Sequence, residues 1–390
     1  MQIAGTQSSL PLFTNVLAQE GHNSDTGPSY VHVWIYARSE PRLYARCTRG
    51  TGDDHATFAA VAQFEVMSLE VTMHADEQAF GPVDNRDFDQ LNNVMRLAVG
   101  IATVGRPEVL NLVLDRLDQQ TRRADRVIVC APNEKDFGGT AARPGVDARI
   151  GPRGLTRQRN AIIEAAHDCD ILVFFDDDFL PAPTYLAAIE QVFAARDDVV
   201  MVTGRVLSDG IIGPGLDFEE AGRILQAAPA IEAQEAQEDG YLWLDEVGNG
   251  YGCNMAVLLA PVRTYDCCFD ERLPLYGWLE DVDFSRQIRR YGRIVRTNAA
   301  SGVHLGIKQG RQSGIRLGYS QIANPVYLTR KGTCPWSHAV RLVSRNLGAN
   351  CLYSFCPEPY IDRSGRVRGN LRALSDLLRG KLHPERILEL

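Results

Sequence analysis

The 390-residue chain has no run of about 18 apolar residues, so the sequence offers no membrane-spanning helix. Its first residues, MQIAGTQSSLPLF, lack the basic start and long apolar core of a secretory signal. A cytoplasmic location is therefore expected. Cysteine is sparse and scattered: nine residues, an odd count, with no C-x-x-C pair. That argues for reduced thiols and against a disulfide framework or a zinc site. G-x-x-x-x-G-K-[ST] is missing, which excludes a P-loop nucleotidase. No internal repeat is evident.

What is present is ordinary for a globular protein, 45% hydrophobic and 23% charged, and long enough for two domains. The net charge of −8 is unevenly spread. Residues 1–94 carry 5 basic and 12 acidic side chains, residues 95–307 carry 22 and 32, and residues 308–390 carry 14 and 5. A basic end on an acidic protein points to an anionic partner. Its arginines alternate with apolar residues and match no nucleic-acid motif. An anionic membrane surface is therefore expected there, as peripheral contact on the inner face of the cell membrane, and no nucleic acid.

Residues 1–94 read as an appendage of unassigned role, β-rich or partly disordered. QEGHNSDTGPSY has loop composition, while residues 31–38 and 64–73 have strand character. A different pattern begins at Met95. Strands are expected at Leu97–Thr103, Arg126–Cys130, Ile171–Phe175, Val199–Arg205 and Gly252–Leu259. Helices are expected at Pro107–Gln120, Thr156–His167, Thr184–Ala195, Phe218–Glu238 and Leu279–Tyr291. This alternation predicts an α/β fold with a Rossmann-like, mostly parallel sheet flanked by helices. The expected organisation is an appendage (1–94), a catalytic domain (95–307, halves 95–205 and 206–307) and a basic helical extension (308–390).

The stretch ILVFFDDDFLP carries the chemistry. An apolar run, read as a buried parallel strand, ends in Asp176, Asp177 and Asp178. Carboxylates at the carboxyl end of such a strand lie where open α/β sheets bind ligands. In a continuous strand Asp176 and Asp178, two apart, share a face. Carboxylates this close repel unless a cation lies between them, and oxygen ligands of this kind suit Mg²⁺ or Mn²⁺ shared with phosphates.

Further segments join it in order: AVGIATVGRP, VIVCAPNEKDF, GPRGLTRQRNAIIEAA, the aspartate strand, GNGYGCNMAVLL, LYGWLEDVDFSRQIRRYG and ASGVHLG. Together they resemble glycosyltransferase family 2, inverting enzymes of the GT-A fold, over roughly residues 95–305. Members that build bacterial polysaccharides are the nearest in kind. The resemblance implies that Thr103, Gly105, Arg106, Arg157, Arg159, Asn160, Asp176 and Asp177 serve a nucleoside diphosphate sugar. It implies a divalent cation, Mn²⁺ or Mg²⁺, on Asp178 and Asp176, with His304 as third ligand. It gives Asp281 the role of general base and Glu280 that of its partner toward the acceptor. Gly252, Asn254 and Trp278 would then meet sugar or acceptor. Where the family has an acidic turn that contacts the base, this chain has Cys130, Ala131 and Pro132. Asn133, Glu134 and Asp136 are the substitutes, and the choice among them stays open.

The expected activity is metal-dependent, inverting transfer of a sugar to an acceptor hydroxyl on a glycan or lipid-linked sugar, in exopolysaccharide or other cell-surface glycan synthesis. One alternative is a nucleotidyltransferase acting on a sugar phosphate, although ATVGRPEVL is a poor match to the Gly-rich basic loop it needs. A phosphatase of the haloacid-dehalogenase kind is excluded, because Phe179 and Leu180 follow the aspartates. The other alternative is a non-catalytic binding protein that uses the basic C-terminal segment.

Overall fold

The computed structural model describes residues 95–390 apart from 212, 240–243 and 309–312, and, before residue 95, the strands of a separate sheet. The chain divides into two compact units, Met1–Asn93 and Val94–Leu390. In the first, β1 (Phe13–Gly21), β2 (Tyr30–Ala37), β3 (Glu40–Arg49), β4 (Thr57–Gln63) and β5 (Ser68–His74) form an antiparallel meander in sequence order. The strand expected at 31–38 is β2, and the later one falls on β5. Residues 64–67, and residues 22–29 of the expected loop, lie outside the described residues.

The second unit begins with β6 (Leu97–Ala102), α1 (Pro107–Leu117), β7 (Arg126–Ala131), β8 (Val146–Ile150), α2 (Leu155–Ala165) and β9 (Ile171–Asp176). It continues through β10 (Phe179–Pro181), α3 (Tyr185–Ala195), β11 (Val199–Asp209), α4 (Phe218–Asp239), β12 (Leu244–Glu246) and β13 (Asn254–Leu258). Then come α5 (Leu259–Thr264), α6 (Glu280–Ile288), β14 (Arg293–His304), α7 (Gly314–Lys331), α8 (Trp336–Tyr353) and α9 (Arg363–Leu378). Nine strands make one sheet, in the order β10-β14-β11-β13-β9-β6-β7-β8, with β12 on β14. β8, β7, β6 and β9 run parallel, and β11 pairs parallel with β14. β13 is inserted antiparallel between β9 and β11. The fold class is that expected: α/β, with a mostly parallel sheet between helices.

Burial on both faces explains why the central strands read as continuous apolar runs. Leu97, Val99 and Ile101 of β6 and Ile171, Val173 and Phe175 of β9 join the core beneath α1 and α3. Ala98, Leu172 and Phe174 join the opposite core with Ile162 of α2 and Phe284 of α6. Gly100 lets α2 approach the sheet: a Cβ there would stand 2.4 Å from Ile162 Cγ2.

The basic C-terminal segment packs in the same unit as the sheet rather than trailing from it. Asn324 of α7 donates to the Trp278 carbonyl at 2.7 Å. Lys331 reaches both Asp270 (2.8 Å) and the fully buried Asp283 (2.6 Å), and the Thr333 hydroxyl donates to Asp283 at 2.6 Å. α7 and α9 meet through glycines: a Cβ on Gly318 would stand 2.1 Å from the Arg366 carbonyl oxygen, and one on Gly369 would stand 2.0 Å from that of Ile315.

Candidate active site

The site grows from the carboxyl ends of β6, β9, β11 and β14. β9 stops at Asp176, and the chain turns through Asp177 and Asp178 before β10 begins. The alternation argument therefore fails past Asp176. The turn, not the strand, brings Asp178 back beside Asp176. His304 closes β14, and one ligand atom each from Asp176, Asp178 and His304 lies within 4.8 Å of the others.

The surrounding hydrogen bonds fix this group. His304 Nδ1 lies 2.8 Å from Asp209 Oδ1, at the end of β11, and Nε2 is turned to Asp178 Oδ1 at 3.4 Å. The Tyr251 hydroxyl donates to the other Asp209 oxygen at 2.7 Å. A carboxylate behind an imidazole fixes its orientation and aims the far nitrogen at the site, where a cation would take the place of its proton. Asp178 Oδ2 accepts from the Ile307 amide at 2.9 Å and from Arg106 Nη1 at 3.2 Å. Burial opposes its charge, but the His304 hydrogen bond and Arg106 outweigh this and hold its pKa at about 2. Burial also opposes charge on His304, yet Asp178 and Asp209 raise its pKa to about 10. Two carboxylates and an imidazole form a donor set that fits a divalent cation.

Asp177 is turned toward Thr103 and Arg106. It is buried, accepts from the Thr103 hydroxyl at 2.6 Å and pairs with Arg106 Nη2. Burial raises its pKa to about 7 in spite of Arg106. Thr103 and Arg106 thus hold the aspartate turn. Gly105, at φ +70, donates to Asp136 Oδ1 at 3.1 Å, and Asn133 donates to Asp136 Oδ2 at 2.9 Å.

Arg159 is turned into the protein and is not a lining residue of the cavity. It is fully buried, donating to Glu280 Oε1 at 2.5 Å, to Asp176 Oδ1 at 3.0 Å and to the Gly252 carbonyl at 2.6 Å. The aromatic faces of Phe174 and Phe269 flank it at 5.5 and 5.4 Å. Gly252 in turn donates its amide to Asp281 Oδ2 at 3.1 Å. One guanidinium and one peptide thus join the aspartate turn to the acid pair that opens α6. Burial raises the pKa of both Glu280 and Asp281, and Glu280 Oε2 has no partner among the described residues.

The approach to α6 is backbone in unusual conformations: Leu275, Gly277 and Leu279 have φ of +60, +63 and +73. Left-handed leucines cost about 1–3 kcal/mol each and persist only where the surroundings impose them. Here the Leu275 carbonyl accepts from the Leu155 amide at 2.7 Å, tying this loop to the start of α2.

A cavity of about 250 Å³ opens over the aspartate turn. Thr103, Arg106, Asp176, Asp177, Asp178 and His304 line it, as do Arg153, Tyr276 and Arg316. Glu280 and Asp281 are not lining residues; they reach it through Arg159 and Gly252. Arg157 is exposed, 3.5 Å from Glu271. Asn160 bridges to the backbone of Phe269, accepting from its amide at 2.8 Å and donating to its carbonyl at 2.9 Å. Asn254 is buried in the sheet against Thr203 at 2.8 Å. Trp278 is half-buried beside α7. Sequence reasoning missed Arg153, Gln158, Tyr276 and Arg316, which line the cavity, and Asp209 and Tyr251 behind His304. Asp209 ends β11, beyond the strand end expected at Arg205, and Arg316 lies on a helix remote in sequence.

No protein-family model matches the chain, and no curated protein matches it. Among solved structures it is similar to a mannosyltransferase from Pyrobaculum calidifontis in complex with GDP-Man and Mn²⁺ (15% identity, 73% of this chain and 88% of that one, TM-score 0.45). It is similar to residues 1–349 of S. aureus TarS (13% identity, 75% and 82%, TM-score 0.43). A third is glucosyl-3-phosphoglycerate synthase from Mycobacterium tuberculosis in complex with Mn²⁺, UDP and glucosyl-3-phosphoglycerate (17% identity, 66% and 86%, TM-score 0.41).

Proposed function

We propose that this protein is a metal-dependent, inverting glycosyltransferase of the GT-A kind. It moves a sugar from a nucleoside diphosphate sugar to an acceptor hydroxyl on a glycan or lipid-linked sugar in cell-surface glycan synthesis. The observation that carries the reading is the Asp176, Asp178 and His304 group on a cavity, joined through buried Arg159 to the acid pair Glu280 and Asp281. The segment order resembling family 2 supports it independently.

In this reading Asp178, Asp176 and His304 hold the cation, and the imidazole favours Mn²⁺ over Mg²⁺. A cation held by these residues would supply positive charge against the departing diphosphate. Arg153 and Arg316 line the same cavity and add positive charge toward the phosphates. The acceptor oxygen bonds to the anomeric carbon as the bond from that carbon to the diphosphate oxygen breaks. Asp281 takes the hydroxyl proton as attack proceeds, since a free hydroxyl is far too weak an acid to ionise first. A single displacement of this kind inverts the anomeric centre. Glu280 and Gly252 orient Asp281, and Arg159 keeps Glu280 in place. The test is incubation with a panel of nucleoside diphosphate sugars and Mn²⁺, reading free nucleotide. Metal-dependent release from one donor is expected; no release from any donor, with metal and acceptor glycans present, would refute the assignment.

A further inference from the structure

Helix α8 presents an uncovered half to solvent. At 100° per residue, Trp336, Val340, Arg341, Arg345 and Leu352 fall within one semicircle, and all are exposed. Trp336 and Val340 are each 58% exposed and Leu352 67%; Phe355, just past the helix end, is 86% exposed. The opposite side, with Ala339 and Asn350, is buried against the other C-terminal helices. Large apolar side chains spread along 18 residues of one exposed helix are not a chance scatter.

Charge decides what covers them. α8 contains no acidic residue. The carboxylates that follow it are engaged internally: Glu358 with Arg363 at 2.6 Å, Asp362 capping the Gly365 amide at 2.7 Å, and Asp376 with Tyr319 at 3.0 Å and Arg386 at 2.9 Å. Arg341 and Arg345 make no ion pair among the described residues. A two-fold contact through this face would set arginine against arginine with no acid to offset them, which disfavours a second copy. Aromatic and aliphatic groups beside unpaired arginines match the acyl and phosphate layers of a bilayer surface. No helix among the described residues is long and apolar enough to cross a membrane, so contact would be peripheral.

We propose that the exposed half of α8, from Trp336 to Phe355, docks on a bilayer surface that contains anionic lipids. This does not depend on the sugar-transfer reading. The test is cosedimentation of the full chain with phosphatidylcholine vesicles, with and without phosphatidylglycerol, at low salt. Binding is expected only with the anionic lipid. Arg341→Glu/Arg345→Glu should weaken it about tenfold or more, and Trp336→Ser/Phe355→Ser should weaken it too, with melting transitions unchanged. Arg123→Glu/Arg290→Glu, which alters exposed charge elsewhere, should bind as the parent does. The proposal is overturned if the parent ignores anionic vesicles, or if both arginine pairs weaken binding equally. It is also overturned if the parent is a dimer in lipid-free solution that the α8 variants dissociate.

Discussion

Arg159 and Glu280 form a buried ion pair at 2.5 Å, although they lie 121 residues apart in the chain. The same guanidinium binds Asp176 at 3.0 Å, so the aspartate turn and the acid pair of α6 are held in one register. Removing it leaves Glu280 buried without its cation and takes one of several positive charges from Asp176. Arg159→Met is expected to lose about 3–5 kcal/mol of stability, the range for breaking a buried pair from one side. Urea denaturation of parent and variant measures it. Adding Glu280→Gln should restore part of the loss; no recovery would argue against the pairing.

Asp209 stands behind His304 in the proposed cation site. Asp209→Asn should weaken Mn²⁺ binding about 10–100-fold without abolishing it, as removal of a partner behind a ligating histidine does. Asp178→Asn removes a ligand itself and should weaken it further. Calorimetric Mn²⁺ titration ranks the two, and equal affinities in parent and Asp209→Asn would contradict the arrangement.

Asp281→Asn retains one acceptor oxygen for the Gly252 and Val282 amides and loses the capacity to take a proton. Transfer should fall about 10²–10⁴-fold, the usual contribution of a positioned base, with donor affinity unchanged. Comparing kcat with donor Kd separates this from a binding defect. The product of the parent enzyme should carry the anomeric configuration opposite to the donor's, read by proton NMR.

Asp270 ties α7 to the rest of the second unit through Lys331 and Tyr327. Burial raises its pKa, but Lys331, Tyr327 and the Arg272 amide lower it further, to about 2 from an ordinary 3.8. A depressed carboxylate stabilises the fold above its ordinary pKa and loses that contribution as pH falls through the folded value. Asp270→Asn should therefore be about 2 kcal/mol less stable than the parent at neutral pH. The gap should close between about pH 4 and pH 2. A gap that persists at acid pH would show that the charge is not its source.

The sequence carried the parallel core because β6 and β9 are buried on both faces and so read as unbroken apolar runs. It hid β14, the strand that ends at the histidine, because RIVRTNAASGVH mixes charged residues and glycine and pairs with β11 through three register shifts. β8 was hidden for a different reason: it is a half-exposed edge strand with no apolar run. At the site, residue types were easier to read than directions. Arg159 belongs to an expected motif, yet its side chain is buried and braces Asp176 and Glu280. Such orientations depend on contacts such as Arg159 with Glu280 that no local pattern announces.

The central claim is that Asp176, Asp178 and His304 form a cation site beneath a nucleoside diphosphate sugar. Anomalous diffraction from crystals soaked with Mn²⁺ and a nucleoside diphosphate tests it most directly. The account predicts a manganese peak within bonding distance of Asp178 and His304, with the diphosphate against it in the cavity. A peak elsewhere, or a diphosphate bound away from these residues, would contradict it.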